Sequence, residues 1–238
     1  MSTLAELKNE LQQLASPKQQ QILQGFFKTG KGEYGEGDIF LGIKVPVQRK
    51  LAKKYQALSL TDIQALLQSN LHEYRFTALI LLITHYKKAD NHKKSKLFDF
   101  YLHNTKHINN WDLVDISAPH IVGDYLLDKP REILYQLARS SSLWEKRIAM
   151  IATMTFIKNN EFQDCLQLAE ILLDDEHDLI HKAVGWMLRE VGKRDQMIEE
   201  QFLNKYYKQM PRTMLRYAIE KFDDDKRKFY LKKSQASK

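Results

Sequence analysis

A recurrence of 34 to 36 residues runs through this chain and narrows the folds open to it. Glu73-Tyr74-Arg75 returns as Glu145-Lys146-Arg147, and Trp111 stands midway, 36 residues from each arginine. Lys182 follows after 35 residues and Arg216 after 34 more. Each of the five sits early in a stretch with apolar residues at helical spacing. A fixed period of this size marks stacked helical pairs, in which equivalent positions line one continuous surface. The recurrence therefore predicts a ridge carrying Arg75, Trp111, Arg147, Lys182 and Arg216. Four cations and one indole on one face suit a polyanion.

The spacing of apolar residues supports an all-α fold. Thr3 followed by Glu6 is a capping box, and Ser16-Pro17 opens a second helix that runs to about Lys28. Five of the nine glycines fall between Gly30 and Gly42, so 29–44 is expected to be a loop. It lacks the Gly-Lys-Ser/Thr ending of a phosphate-cradling loop. Pro46 restarts a helix over 45–56. Further helices are expected at 61–69, 72–88, 91–104, 109–127, 130–140, 143–159, 161–174, 177–193, 196–208 and 211–222. Pro119 must kink or break the 109–127 helix, because it removes a backbone donor. The charged tail, 223–238, is expected to fray. The architecture this implies is a HEAT-like α-solenoid, a helical-repeat superhelix with a concave basic face, formed by one domain spanning 1–238.

Composition adds limits on partner and compartment. Hydrophobic residues make up 43% of the 238, enough for a core, and the net charge is +7, which favours nucleic acid or an anionic surface. The single cysteine, Cys165, rules out a disulfide framework within the chain and fits a reducing cytosol. The N-terminus is polar with no hydrophobic signal core, and the longest apolar run, Phe76 to Ile83, is too short to span a bilayer. A cytoplasmic monomer with no membrane association is expected. The His103/His107 and His177/His181 pairs have i, i+4 spacing but lack the glutamate of a zinc-protease helix and any cysteine cluster, so no metal and no cofactor are expected.

Trp111 and Asp115 lie four apart on one helical face, as do Lys182 and Trp186, with Arg147 supplied by the repeat between. Two indoles and a carboxylate beside a basic surface favour a transition state that gains positive charge on a substrate held by its phosphates. Aromatic faces attract cations by about 0.5–2 kcal/mol each. Hydrolysis of an N-glycosidic bond is such a reaction, because the sugar becomes oxocarbenium-like. A base already cationic through N-alkylation leaves as a neutral molecule and needs no strong general acid.

At these residues the chain resembles the AlkD-like DNA alkylation-repair glycosylases. The resemblance rests on Asn110-Trp-Asp-Leu-Val-Asp115 with Pro119, on Leu143-Trp-Glu-Lys-Arg147, and on Lys182-Ala-Val-Gly-Trp-Met-Leu-Arg-Glu190. Phe40-Leu-Gly-Ile43, Pro46 and Arg49 are similar to the family's N-terminal segment, and the likeness covers roughly residues 20–220. It implies a superhelix whose concave face cradles duplex DNA, and excision of cationic alkylated purines, chiefly 3-methyladenine and 7-methylguanine, without the base flipping usual in glycosylases. By the same resemblance Asp115 is the catalytic carboxylate, and Trp111 and Trp186 flank the lesion's sugar and phosphate. Arg147 is the DNA-binding arginine beside them. Lys182, Arg49, Lys44, Arg75 and Arg216 are read as phosphate contacts, the last two as outer ones. Asn110 stands where some members carry a second tryptophan, and Phe26 where a tyrosine is expected. The Gly-rich loop, with Lys28, Lys31 and Lys44, is longer than usual and is expected to touch the backbone or minor groove near the lesion. No lysine is placed for Schiff-base chemistry, so no lyase step is expected. The rival readings are a non-catalytic protein binding branched or distorted DNA and a protein-binding scaffold.

Overall fold

The computed structural model describes residues 3–233. It is all-α: fifteen α-helices follow one another among the described residues, and the one β-type pairing there is an isolated bridge between Ile39 and Leu71. The chain falls into two compact units, Met1–Ser117 and Ala118–Lys238. Among the described residues no helix is long and apolar enough to cross a membrane.

The N-terminal unit holds α1 (Leu4–Gln13), α2 (Pro17–Phe26), α3 (Val45–Lys54), α4 (Leu60–Leu67), α5 (His72–Lys88) and α6 (Asn91–His103), with a 3-10 turn at Thr105–His107. Most of α7 (Trp111–Ala118) also belongs to it. Local chemistry sets several starts. The Thr3 hydroxyl accepts from the Glu6 N–H at 3.2 Å while the Glu6 carboxylate accepts from the Thr3 N–H at 2.8 Å. Ser16 caps α2, whose first residue is Pro17. Helix α5 packs against α3, α4 and α6 and is buried along nearly all its length from His72 to Leu82. This accounts for the apolar run at Phe76, which has no polar face to show.

The C-terminal unit holds α8 (Glu132–Ala138), α9 (Leu143–Ala152), α10 (Met154–Lys158), α11 (Gln163–Ile171), α12 (Asp178–Gly192), α13 (Gln196–Tyr206), α14 (Arg212–Ala218) and α15 (Asp224–Lys233). Helix α12 is its hub and packs against α9, α11, α13 and α14. Gly185 allows the close approach of α14, since a Cβ there would stand 2.4 Å from the Met214 carbonyl oxygen and 2.6 Å from the Tyr217 Cβ.

Two expected helices are interrupted, the first at Pro119 as anticipated, and the tail departs from expectation. The 109–127 segment ends as an α-helix at Ala118 and continues as a π-helical turn over Pro119–Gly123. Pro119 has no N–H to give, and its carbonyl accepts from the Thr155 hydroxyl at 2.7 Å instead. The 143–159 segment breaks at Thr153, whose hydroxyl donates back to the Met150 carbonyl at 2.7 Å and competes with the helical ladder. The tail expected to fray forms α15 through Lys233, anchored by Tyr230, which is 4% exposed and bonds Asn204 at 3.1 Å; 234–238 lie outside the described residues.

Candidate functional site

In the N-terminal unit the site begins with rings. Helix α2 ends at Phe26, and Lys28 turns the chain with a positive φ of 51°. This leaves Phe26 62% exposed and Phe27 buried. The Phe27 ring is stacked on Trp111 at 5.1 Å and 15° and on Phe40 at 5.0 Å and 24°. Phe26 meets Trp111 edge-on at 5.9 Å. Two rings from the end of α2 therefore hold the half-buried indole that opens α7. Asp115 lies one helical turn further along α7, also half-buried.

The Gly-rich segment supports this arrangement. A Cβ on Gly35 would stand 2.4 Å from the Phe27 carbonyl oxygen, and one on Gly42, with φ +85°, would stand 2.4 Å from the Ser16 carbonyl oxygen. Its last residues are clamped by Glu73, whose carboxylate accepts from the N–H groups of Leu41, Gly42 and Ile43 at 2.8, 2.8 and 3.1 Å. The His72 N–H donates to the Ile39 carbonyl at 2.8 Å, so residues 39–43 are fastened to the start of α5. Lys44 follows them as the exposed residue that precedes α3.

Beneath Trp111 lies a buried ionic network that the sequence did not reveal. Asp38, 6% exposed, accepts from Arg75 Nη2 at 2.6 Å, from His72 Nδ1 at 3.2 Å and from Asn110 Nδ2 at 3.1 Å. His72 Nε2 bonds Asp112 Oδ2 at 2.8 Å. Asn110 Oδ1 accepts from the Trp111 N–H at 2.8 Å. Burial alone would lower the pKa of His72, but the carboxylates of Asp112 and Asp38 outweigh it and raise the imidazole to about 9. For Asp38, burial works to raise the pKa, and His72, Arg75 and Asn110 together bring it below the usual carboxylate range. The network holds two cations and two carboxylates.

This corrects the expectation for Arg75. The residue is 3% exposed, and its guanidinium is spent on Asp38 and on the Ser69 carbonyl at 2.9 Å. It cannot be an outer phosphate contact. Its place in the recurrence reflects packing, since Glu73 and Arg75 each fasten a loop to α5. Arg147 is corrected in part, for it is 4% exposed and its Nη1 donates to the Leu179 carbonyl at 2.6 Å. That bond ties α9 to the start of α12, so little of this guanidinium is open to a ligand.

Helix α12 carries the other two central residues, both half-buried. Lys182 pairs with Asp178 at 2.6 Å, and Trp186 Nε1 donates to Glu190 at 3.0 Å. His177 caps the same helix, its Nδ1 accepting from the Leu179 N–H at 3.1 Å. Arg49 on α3 and Arg216 on α14 are exposed, and neither makes an ion pair or hydrogen bond through its side chain among the described residues. Arg216 lines an open depression of about 590 Å³ together with Arg212, Tyr217, Glu220 and Arg227. Of the cations expected to meet a polyanion, Arg49, Lys44 and Arg216 are thus the accessible ones, and Lys182 is half-covered.

The residues missed by sequence reasoning are Phe27, Asp38, His72, Asn110 and Asp112. Asp112 reads as a helix-dipole residue and Asn110 as a departure from a tryptophan. Only the folded chain shows that both reach Asp38, directly or through His72.

Comparison with known proteins agrees with this architecture. The chain resembles the structure described as a predicted DNA alkylation repair enzyme from Enterococcus faecalis, with a TM-score of 0.70 and 16% identity over 88% of this chain and 97% of that one. It also resembles the structure of smu.31 from Streptococcus mutans UA159, with a TM-score of 0.53 and 17% identity over 94% of this chain and 100% of that one. At such identities the likeness speaks for the fold alone. No curated protein matches the chain. The family model for DNA alkylation repair enzymes matches residues 7–222, nearly the whole of the sequence, and the chain belongs to that family.

Proposed function

We propose that this protein is a monofunctional glycosylase. It hydrolyses the N-glycosidic bond of cationic N3- or N7-alkylated purines in duplex DNA, acting as a monomer, without base flipping and without a metal or cofactor. The observation that carries the reading is the construction around α7. An indole, fixed by Phe27 and edged by the exposed Phe26, shares a helical face with a half-buried carboxylate one turn away. Such a surface meets a sugar turning cationic better than it meets a neutral one.

In the reaction the bond between C1′ and the purine nitrogen breaks, and its electron pair neutralises the charge on the departing base. Asp115 stabilises the positive charge growing on the sugar and orients a water, whose oxygen bonds to C1′ as its proton passes to the Asp115 carboxylate and then to solvent. Trp111 and Trp186 offer aromatic faces to the sugar. Arg49, Lys44, Lys182 and Arg216 contact phosphates. Phe26, in place of a tyrosine, contributes a ring edge without a hydroxyl.

The test is release of 7-methylguanine from methylated duplex DNA by the wild type and by Asp115→Asn. Release by the wild type, lowered at least a hundredfold by the substitution, is expected. DNA binding with no release by the wild type would favour a non-catalytic protein of branched or distorted DNA. Equal release by both proteins would remove Asp115 from the mechanism.

A further inference from the structure

We infer that His72 and Asp38 form a positioning device for the helix that carries Trp111 and Asp115, and that the device works only while His72 is an imidazolium. This rests on the glycosylase reading above and adds two residues to it.

The geometry supports the inference from three sides. Asp38 is the hub: one carboxylate receives Arg75, His72 and Asn110. Two of its connections reach the first residues of α7. Through Asn110 it holds the residue whose Oδ1 takes the Trp111 N–H, and through His72 it holds Asp112. The indole between these anchors is gripped independently by Phe27, and the Phe27 ring lies 5.1 Å from the His72 ring. A shift of His72 would therefore be felt by Trp111 through its backbone and through its stacking partner. Helix α7 has eight residues, so displacement of its first turn also moves Asp115 in its second.

Charge balance gives His72 its second role. Arg75 and protonated His72 offset Asp38 and Asp112. The Glu73 carboxylate nearby is taken up by three loop N–H groups. Lys44 borders the same small cavity, about 170 Å³, which His72, Glu73 and Asp112 also line. With His72 neutral, Asp112 loses the imidazolium charge bonded to it at 2.8 Å, three residues before Asp115 on the same helix. The paired imidazolium thus offsets the Asp112 carboxylate at the first turn of the helix that carries Asp115.

The test combines kinetics with a readout that needs no activity. Single-turnover release of 7-methylguanine and duplex affinity are measured from pH 6 to pH 10 for the wild type, His72→Gln and Asp112→Asn. The ¹⁵N indole resonance of Trp111 is followed over the same range in the free protein. We expect release by His72→Gln to fall at least tenfold at pH 7, with DNA affinity within about twofold of the wild type. The wild-type rate and the Trp111 resonance should share a transition near the pKa of His72, about 9, and neither variant should retain it. If His72→Gln does not fold, Asp112→Asn, which alters only the less buried end of the network, carries the same comparison. A Trp111 resonance that ignores pH in the wild type overturns the inference, as does a variant with wild-type release and an unchanged pH profile. Loss of release in Asp115→Asn alongside normal release in His72→Gln would leave the glycosylase reading intact and remove only the device. If the wild type releases no base, the resonance alone decides.

Discussion

Replacing Glu199 by glutamine should free the C-terminal unit from a pH dependence built into its core. Glu199 lies on α13, 1% exposed, with its Oε1 lacking any hydrogen-bond partner among the described residues. Its Oε2 occupies the space a side chain would need at Gly192. Burial, reinforced by the like charge of Glu200 and opposed by Arg189, raises its carboxyl to about 9. The folded chain therefore keeps a proton that the unfolded chain gives up near the ordinary value of 4.5. Between those values the unfolded state binds fewer protons, so stability falls as pH rises, by about 1.4 kcal/mol per unit. Taken from pH 5 to pH 8 the loss amounts to about 4 kcal/mol, a large share of the ~5–15 kcal/mol that holds a domain together. Glutamine has the shape of the protonated acid and cannot ionise. Urea unfolding followed by circular dichroism at a series of pH values should give Glu199→Gln and wild type similar midpoints at pH 5. By pH 8 the variant should be the more stable by several kcal/mol. The comparison between variant and wild type isolates Glu199 from His72, whose raised value also withdraws stability as pH climbs from 6.5 towards 9. Unfolding curves that stay parallel from pH 5 to pH 8 would refute the reasoning and mean that Glu199 is ionised in the native protein.

Two further outcomes separate surface cations from buried ones. Arg49→Ala and Arg216→Ala should each weaken binding to undamaged duplex and reduce the slope of log affinity against log salt by about 1, with little effect on stability. A slope unchanged in both would remove them from the interface. Arg75→Ala should instead lower stability by about 3–5 kcal/mol, because it strands the buried Asp38 carboxylate. A thermal midpoint equal to that of the wild type would contradict the ionic network.

The recurrence that shaped the sequence reading was sound as a signal and misleading as a map. Equivalent positions in successive helical pairs share a structural environment, and at Arg75 and Arg147 that environment is the interior. A charged residue repeating at a fixed interval looks the same on paper whether it faces water or binds a buried partner. The partners here are an aspartate 37 residues away and a carbonyl 32 residues away, and neither leaves a trace in local spacing. Asn110 makes the same point from the other direction, since a departure from a resembling family turned out to be a fully buried hydrogen-bonding link. Trp111 and Asp115 were legible because i, i+4 spacing within a helix puts side chains on one face whatever surrounds them.

The sequence by itself determined the all-α class, most helix starts, the break at Pro119 and the family. Each of these depends on short-range physics: a cap, a missing N–H, a periodicity, a local motif. The tertiary structure alone decided which cations are exposed, what holds Trp111, and which carboxylates are paired. Those outcomes depend on burial and on contacts between residues 32 to 72 positions apart, because desolvation of a charge can be offset only by the groups that folding brings beside it.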